Sequence, residues 1–102
     1  MPRKKSLPKV VIRSDRAGIF YGDLEKFDPA TSVVTMCNCR RIWYWSGARS
    51  LSQIAQEGVK HPKKSHITVS VDKMLIMGVV EVLYCTEKAI KNLNAVPVWK
   101  IR

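Results

Sequence analysis

The sequence predicts a mainly β protein of the α+β type: a small, strongly bent antiparallel sheet or partly open barrel of five to six strands, with two short helices. Three observations predict this fold: short β-branched segments bounded by turn residues, a glycine inside one such segment, and only two stretches with helix caps. The 102 residues suffice for one hydrophobic core. We therefore expect a single domain over residues 9–102, preceded by a basic, flexible tail over residues 1–8.

Two strands are predicted near the start of the domain. Residues 9–13 are short and β-branched, and residues 19–27 alternate between apolar and mixed positions, as strands with one buried face do. Gly22 lies inside the second strand, where it predicts a bend or a close approach of another backbone segment. Asp28 and Pro29 then provide the residues of a turn.

The third strand, over residues 32–44, is the longest and is apolar on both faces. Such a strand is either buried on both sides or paired with a partner chain on one side, and we expect a homo-oligomer. Cys37 and Cys39 lie two residues apart, so in a regular strand both point to the same side. A bulge between Asn38 and Arg41 would also account for the pattern.

Both helices are predicted from their caps. Ser50 and Gln53 form a capping box before a narrow apolar stripe, and Gly58 is placed to end that helix in the left-handed conformation. The first helix is therefore expected over residues 51–57. Thr86 is the expected cap of a second helix, over residues 87–93.

Three further strand segments complete the fold. Residues 66–71 alternate, and their three aliphatic side chains are predicted to face inward. Residues 73–84 are apolar and β-branched with Gly78 near the middle, so they form one kinked strand or two short ones. Residues 96–101 predict a final edge strand, since Pro97 has no N–H for a sheet ladder.

The chain is strongly basic: 18 Lys and Arg against 8 Asp and Glu give a net charge of +10. Such an excess favours an anionic partner, namely nucleic acid, a nucleotide or an acidic protein, although it also suits a surface that only maintains solubility. No amphipathic helix is long enough to lie on a membrane, and no apolar run is long enough to span one. The basic N-terminus is not followed by the apolar core of a signal peptide, so we expect a cytosolic protein without a membrane partner.

Residues 39–50 combine aromatic rings with arginines more densely than any other segment. Arginine pairs with phosphate through two parallel N–H groups, and Trp and Tyr offer faces on which nucleobases stack. The same rings are also suited to the core or to an oligomer interface. The predicted ligand-binding residues are Arg40, Arg41, Trp43, Tyr44, Trp45 and Arg49, with Lys60, Lys63 and Lys64 as accessory basic residues.

No recognisable catalytic or metal-binding pattern accompanies this segment. His61 and His66 are not near a Ser or Cys in a nucleophile motif, and there is no glycine-rich phosphate loop followed by Lys and Ser or Thr. Asp23, Glu25 and Asp28 fit a solvated strand face and a turn better than a pair of catalytic acids. The three cysteines match no standard zinc spacing and are expected to be reduced. We therefore expect no enzymatic activity, no metal and no cofactor.

Several segments resemble small uncharacterised accessory proteins of tailed bacteriophages. These segments are residues 17–22, 40–48, 50–59 and 85–89. The resemblance implies a phage protein in the cytoplasm of the infected bacterial host, and that family has no activity that can be transferred. Residues 17–45 are also similar to the first half of an Sm-like barrel, through Gly18, Gly22, Leu24, Phe27 and Asp28 followed by a turn and an apolar strand. This second likeness implies a bent five-stranded sheet and ring assembly.

Two functional hypotheses follow from these observations. The first is a non-enzymatic phage accessory protein that binds a phosphate-bearing ligand, either nucleic acid or a small nucleotide, including a nucleotide signal of host defence that it would sequester. The alternative is a protein–protein interaction module, either an inhibitor of a host or defence protein or a structural virion component. That module would use Trp43, Trp45 and the strand edge at 96–101 as its interface.

Overall fold

A computed structural model describes residues 7–101, which form a six-stranded antiparallel sheet with two α-helices. The strands are β1 (Lys9–Ser14), β2 (Gly18–Asp28), β3 (Val33–Tyr44), β4 (His66–Ile67), β5 (Val71–Ile76) and β6 (Val79–Tyr84). The helices are α1 (Leu51–Glu57) and α2 (Glu87–Asn94), with a short 3-10 helix over Pro62–Lys64. The predicted fold class is confirmed. Most of the predicted basic tail, residues 1–6, lies outside the described residues.

The sheet is strongly bent because a two-residue link joins its two ends. Its order is β4–β3–β2–β1–β6, and β5 pairs with the same strand as β4, namely β3. β5 and β6 are thus four strand spacings apart, about 19 Å in a flat sheet. Only Met77 and Gly78 separate them, and three Cα steps reach at most about 11 Å. The sheet must therefore curl towards itself, although it does not close into a barrel.

Residues 73–84 form two short strands rather than one, with the break at the predicted glycine. Gly78 has φ 69°, a conformation that glycine adopts without strain. The backbone N–H of Asp15 donates to the Gly78 carbonyl oxygen (2.8 Å), which joins the β1–β2 turn to this link. This hydrogen bond therefore stabilises the bend of the sheet at Met77 and Gly78.

β2 and β3 approach each other very closely at Gly22, as predicted. A Cβ atom at this position would lie 2.8 Å from the Cα of Cys39 and 3.0 Å from the carbonyl oxygen of Asn38. Both neighbours are backbone atoms, which cannot rotate away. Gly22 is therefore needed because another strand occupies the space of a side chain.

We expect Gly22→Ala to lower the thermal unfolding temperature by several degrees. The added methyl group must push β3 aside, and overpacking of this kind costs roughly 1–3 kcal/mol. Circular dichroism during heating measures the effect, with Ser52→Ala on the exposed face of α1 as the control. An unchanged unfolding temperature for Gly22→Ala would contradict the close approach of the two strands.

A bulge lies opposite Gly22, within the interval predicted for it. Asn38 has φ 49°, and the pairing of β2 with β3 shifts register at this point. The extra residue changes the alternation of side chains: Cys39 is buried in the core, whereas the Cys37 Sγ–H donates to the Glu25 carboxylate (2.9 Å). The prediction that both thiols point to the same side was therefore wrong.

Two hydrophobic cores lie on opposite faces of the sheet. The inner core contains residues from both ends of the sheet and so lies inside the bend: Val10, Ile12, Phe20, Val34, Met36, Cys39, Ile76 and Val79. The helix-side core lies between the sheet and the helices: Val11, Tyr21, Ile42, Ile54, Val59, Ile67, Leu93 and Val96. Successive residues of one strand thus enter different cores.

This arrangement accounts for the apolar residues on both faces of β3 within a single chain. Val34 and Met36 enter the inner core, and Ile42 enters the helix-side core. Burial on both sides is therefore observed for part of β3, whereas Trp43 and Tyr44 at its end are exposed. The homo-oligomer stays a prediction.

The predicted caps occur at both helices. Ser50 Oγ accepts a hydrogen bond from the Gln53 N–H (3.2 Å), and Thr86 Oγ1 accepts one from the Ala89 N–H (3.1 Å). The α1 bounds agree with the prediction, and α2 is one residue longer. Gly58 has a positive φ of 82°, but its ψ of −159° lies outside the left-handed helical region. No helix within residues 7–101 is long and apolar enough to cross a membrane.

Two predicted strands are shorter than expected. β4 contains only His66 and Ile67, and Val69 and Val71 are exposed, so their predicted inward orientation was wrong. The final strand predicted over residues 96–101 is reduced to one parallel bridge between Ile67 and Val98. The C-terminal segment pairs little because β4 offers only two residues for pairing and because the residue before Val98 is a proline.

Candidate functional site

Four aromatic side chains meet where β3 ends, and we call them the aromatic cluster: Trp43, Tyr44, His66 and Trp99. Tyr44 pairs with His66 across β3 and β4, and the Trp99 N–H donates to the Ile67 carbonyl oxygen (2.9 Å). The ring centroids of His66 and Trp99 are 4.5 Å apart with planes 5° from parallel, and those of Trp43 and Trp99 are 4.9 Å apart. Three separate segments therefore build one stacked group of rings.

Much of the aromatic cluster faces solvent. The exposed fraction is 62% for Trp43 and 44% for Trp99. Within the stack, Nδ1 of His66 is enclosed and has no hydrogen-bond partner in the described part of the chain. Stacked rings that served only the core would be covered, and an enclosed polar atom without a partner is unfavourable for stability. The exposure of the stacked rings is typical of a binding surface rather than of packing.

A basic loop precedes His66 in the chain, and it contains Lys60, His61, Lys63 and Lys64. The loop is held against the turn after β3, because the N–H groups of Lys60 and His61 donate to the carbonyl oxygens of Gly47 (3.0 Å) and Ser46 (3.1 Å). Gly47 has φ 97°, and a Cβ there would meet the Lys60 backbone, so glycine is required.

The basic loop has free charge and a concave surface. All its lysines are exposed, and none of the ion pairs among residues 7–101 involves them. A cleft of about 490 Å³ lies between the loop and the C-terminal segment at Ala95 and Pro97. Pro97 is two residues before Trp99, and Lys64 is two residues before His66. The basic loop is therefore close in sequence to His66, and the other side of the cleft is close in sequence to Trp99, so the cleft lies next to the aromatic cluster.

Arg40, which was predicted to bind a ligand, lies inside the protein instead. It is only 8% exposed, and its guanidinium donates to backbone carbonyl oxygens. The acceptors are those of Thr68 (2.8 Å), Ile67 (3.0 Å), Val96 (3.2 Å), Leu93 (3.3 Å) and Pro97 (3.4 Å). Burial lowers the pKa of Arg40. The bulge at Asn38 is the cause, because it turns Arg40 towards the helices, where it joins α2 and the C-terminal segment to β4.

The other predicted residues are also separated. Trp45 is half-buried beside the helix-side core, and its Nε1–H donates to the Ala48 carbonyl oxygen (3.1 Å), so it is not a free stacking surface. The Arg41 guanidinium lies over the Phe20 ring, 4.6 Å from its centroid, outside the aromatic cluster. Arg49 is exposed just before α1. Of the segment predicted from the sequence, only Trp43 and Tyr44 belong to the cluster.

His66 was missed as a site residue, since the sequence predicts it only as the start of a strand. Trp99 was not predicted to bind a ligand and entered only the alternative hypothesis, within the protein interface at 96–101. The signal that could have found them is one aromatic side chain in each of two predicted strands, His66 in residues 66–71 and Trp99 in residues 96–101. Their contact with Trp43 depends on pairing between distant segments, which the sequence alone does not specify.

The thiols and carboxylates form no evident reactive centre. Burial raises the pKa of Cys39 to about 12 and that of Cys85 to about 11, and the hydrogen bond with Glu25 raises the pKa of Cys37. Thiols with raised pKa values are weak nucleophiles at neutral pH. Within residues 7–101, no three His, Cys, Asp or Glu side chains lie close enough together to hold a metal ion. What the surface offers is stacking and positive charge.

Comparison with known proteins identifies a family, but the function of that family is unknown. Neither the curated proteins nor the solved structures contain a match to this chain. A protein-family model described as "Domain of unknown function (DUF6948)" matches residues 7–93. The match includes Trp43, Tyr44, His66 and the basic loop, and it ends before Trp99. Because it extends over far more than half of the sequence, the chain belongs to the DUF6948 family.

Proposed function

We propose that this protein is a non-enzymatic binding protein for a phosphate-bearing ligand, with single-stranded nucleic acid as the ligand that fits the surface best. The observation that carries the proposal is the solvent-exposed stack of Trp43, His66 and Trp99 beside a basic loop that forms no ion pair with the described residues 7–101. Unpaired bases expose the faces that stack on aromatic rings, whereas bases inside a duplex do not.

The two parts of the surface have different roles in this proposal. A base stacks on the exposed face of Trp43, which contributes roughly 1–3 kcal/mol per base. Lys63 and Lys64 contact the phosphates on either side, and this attraction is independent of sequence. A mononucleotide engages the same groups with fewer phosphate contacts. The resemblance to small phage proteins favours an accessory role in the cytoplasm of an infected bacterium, including sequestration of a nucleotide signal of host defence.

Fluorescence anisotropy with a labelled single-stranded oligonucleotide tests the proposal. A duplex of equal length and an unlabelled nucleoside triphosphate serve as competitors, and the titrations are repeated over a range of salt concentrations. We expect the single strand to bind more tightly than the duplex, with an affinity that falls steeply as salt rises. A flatter salt dependence with effective competition by the triphosphate would assign the small nucleotide instead. Absence of binding by all three at low salt would overturn the proposal.

The double variant Lys63→Gln/Lys64→Gln is expected to weaken binding and to reduce its salt dependence. For single strands, each lost phosphate contact changes the slope of log K against log salt by about 0.7. The matched control is Lys26→Gln/Lys73→Gln, which removes the same charge from β2 and β5. Equal effects of the two double variants would mean that net charge alone attracts the oligonucleotide, contrary to the proposal.

A protein partner is the second candidate, because exposed tryptophans are also frequent anchors of protein interfaces. The same indoles of Trp43 and Trp99 would then insert into an acidic host or defence protein, with the basic loop at the rim. Affinity capture from host lysate after nuclease treatment distinguishes the two candidates. A stoichiometric protein that is retained, together with no affinity for oligonucleotides, would favour this alternative.

A further inference from the structure

A second concave site lies between the β1–β2 turn and the link from β5 to β6. It has a volume of about 540 Å³, within the range of small-molecule sites, roughly 300–1,000 Å³. Its lining comprises Asp15, Arg16, Ala17, Phe20, Arg41 and residues 74–78. None of these belongs to the aromatic cluster or the basic loop, and we call this site the arginine cleft.

The inner surface of the arginine cleft is apolar. Phe20 and Ile76 belong to the inner core, and Met74 packs against that core. Met77, at the link between the two strands, is 64% exposed. A flexible thioether with this exposure adapts readily to the shape of an apolar ligand. Phe20 and Ile76 are almost fully buried, so the cleft offers apolar contact mainly through Met74 and Met77.

The two walls of the arginine cleft are joined by hydrogen bonds. The Ser14 hydroxyl donates to the Met77 carbonyl oxygen (2.7 Å) and accepts from the Ala17 N–H (3.2 Å). The hydrogen bond from the Asp15 N–H to the Gly78 carbonyl oxygen lies beside them. These bonds hold the β1–β2 turn against the link, so the cleft is formed before any ligand arrives, which limits the cost of ordering on binding.

The charge in the arginine cleft is positive and only partly engaged. The Arg41 Nη1–H donates to the Ala17 carbonyl oxygen (2.6 Å), which leaves further donors of the same guanidinium for a ligand. Arg16 is exposed. Neither guanidinium forms an ion pair within residues 7–101. Two guanidiniums and the one carboxylate of Asp15 line the cleft, which leaves a net charge of +1.

We propose that the arginine cleft binds a small amphipathic anion, namely a carboxylate on an acyl chain. The carboxylate meets the guanidinium of Arg41, which matches the paired oxygens of such a group in geometry and charge. The acyl chain lies along Met74 and Met77. The proposal is independent of the function proposed for the aromatic cluster, because the two sites share no residue.

The test compares octanoate with 1-octanol, which has the same chain length and no charge. Methyl NMR of the methionines reports the position of binding, since Met74 and Met77 line the cleft. We expect octanoate to shift the Met74 and Met77 signals in a saturable way, and 1-octanol to bind at least about tenfold more weakly. Equal binding of 1-octanol, or shifts that omit Met74 and Met77, would overturn the proposal.

Substitutions then assign the anionic contact. Arg41→Gln is expected to weaken octanoate binding by about tenfold, the loss for one charge-assisted hydrogen bond. Because Arg41 also binds Ala17, Arg16→Gln provides a second variant that keeps this internal contact, and it too should weaken binding. The control is Lys91→Gln on α2, with the same loss of charge. Equal affinity in both arginine variants and the control would refute the proposed role of the guanidiniums.

Discussion

Arg40→Leu is expected to abolish most of the folding stability. The substitution removes the donors for a group of buried backbone carbonyl oxygens, among them those of Thr68 and Val96. Each buried polar group left without a partner costs about 1–3 kcal/mol, and the total stability of a domain of this size is about 5–15 kcal/mol. Urea unfolding followed by circular dichroism measures the loss, and we expect a variant that is largely unfolded without denaturant.

Two further variants separate the hydrogen bonds from the charge. Arg40→Lys keeps the positive charge but cannot reach the same set of carbonyl oxygens, so an intermediate stability is expected. Arg49→Leu removes an exposed arginine and should change the free energy of unfolding by about 0.5 kcal/mol or less. If Arg40→Leu unfolded at nearly the same urea concentration as the wild type, the carbonyl oxygens would not depend on this guanidinium.

Trp43→Ala is expected to weaken binding of a single-stranded oligonucleotide by about 5- to 150-fold. Loss of one stacked base costs roughly 1–3 kcal/mol, and an exposed side chain contributes little to folding, so the unfolding temperature should change little. Trp43→Phe keeps an aromatic face and should retain part of the affinity. Anisotropy titrations at a fixed low salt concentration measure all three proteins.

The matched control for this experiment is Tyr84→Ala, which removes an exposed aromatic side chain of β6 outside the aromatic cluster. It should leave oligonucleotide binding unchanged. If Tyr84→Ala and Trp43→Ala weakened binding equally, stacking at the cluster would not be the source of affinity. Unchanged binding in Trp43→Ala would have the same meaning, and the affinity would then come from the positive charge alone.

Local signals in the sequence were sufficient for much of the fold. The bounds of α1 were predicted because Ser50, Gln53 and Gly58 act on neighbouring residues. The close approach at Gly22 was predicted because a glycine weakens the interior of a strand and often marks a place where another backbone segment comes near. The lengths of β4 and of the C-terminal segment were not predicted, because they depend on how many residues a distant partner strand presents.

The candidate site was predicted only in part, and one backbone feature is the main reason. The alternation of β3 changes at Asn38, so Arg40 faces the helices and Cys39 enters the inner core. Asparagine tolerates a positive φ, but its presence does not specify a bulge at a given position. The grouping of His66 and Trp99 with Trp43 was missed for a different reason, since neither lies near Trp43 in the chain. The composition of residues 39–50 indicated a site with aromatic and basic side chains, but it did not indicate which of those side chains are exposed at the surface.

The pairing of β1 with β6 has a consequence for how the protein is made. Arg13 and Glu81 are neighbours in the sheet although they are 68 residues apart in the chain. Val10, Val11 and Ile12 are fully buried, yet the ribosome produces them well before their outer partner strand β6. Until β6 has been made, the nascent chain therefore carries an apolar strand with one open edge, a condition that promotes aggregation and slows folding. Slow, cool expression should accordingly give more folded protein than rapid expression.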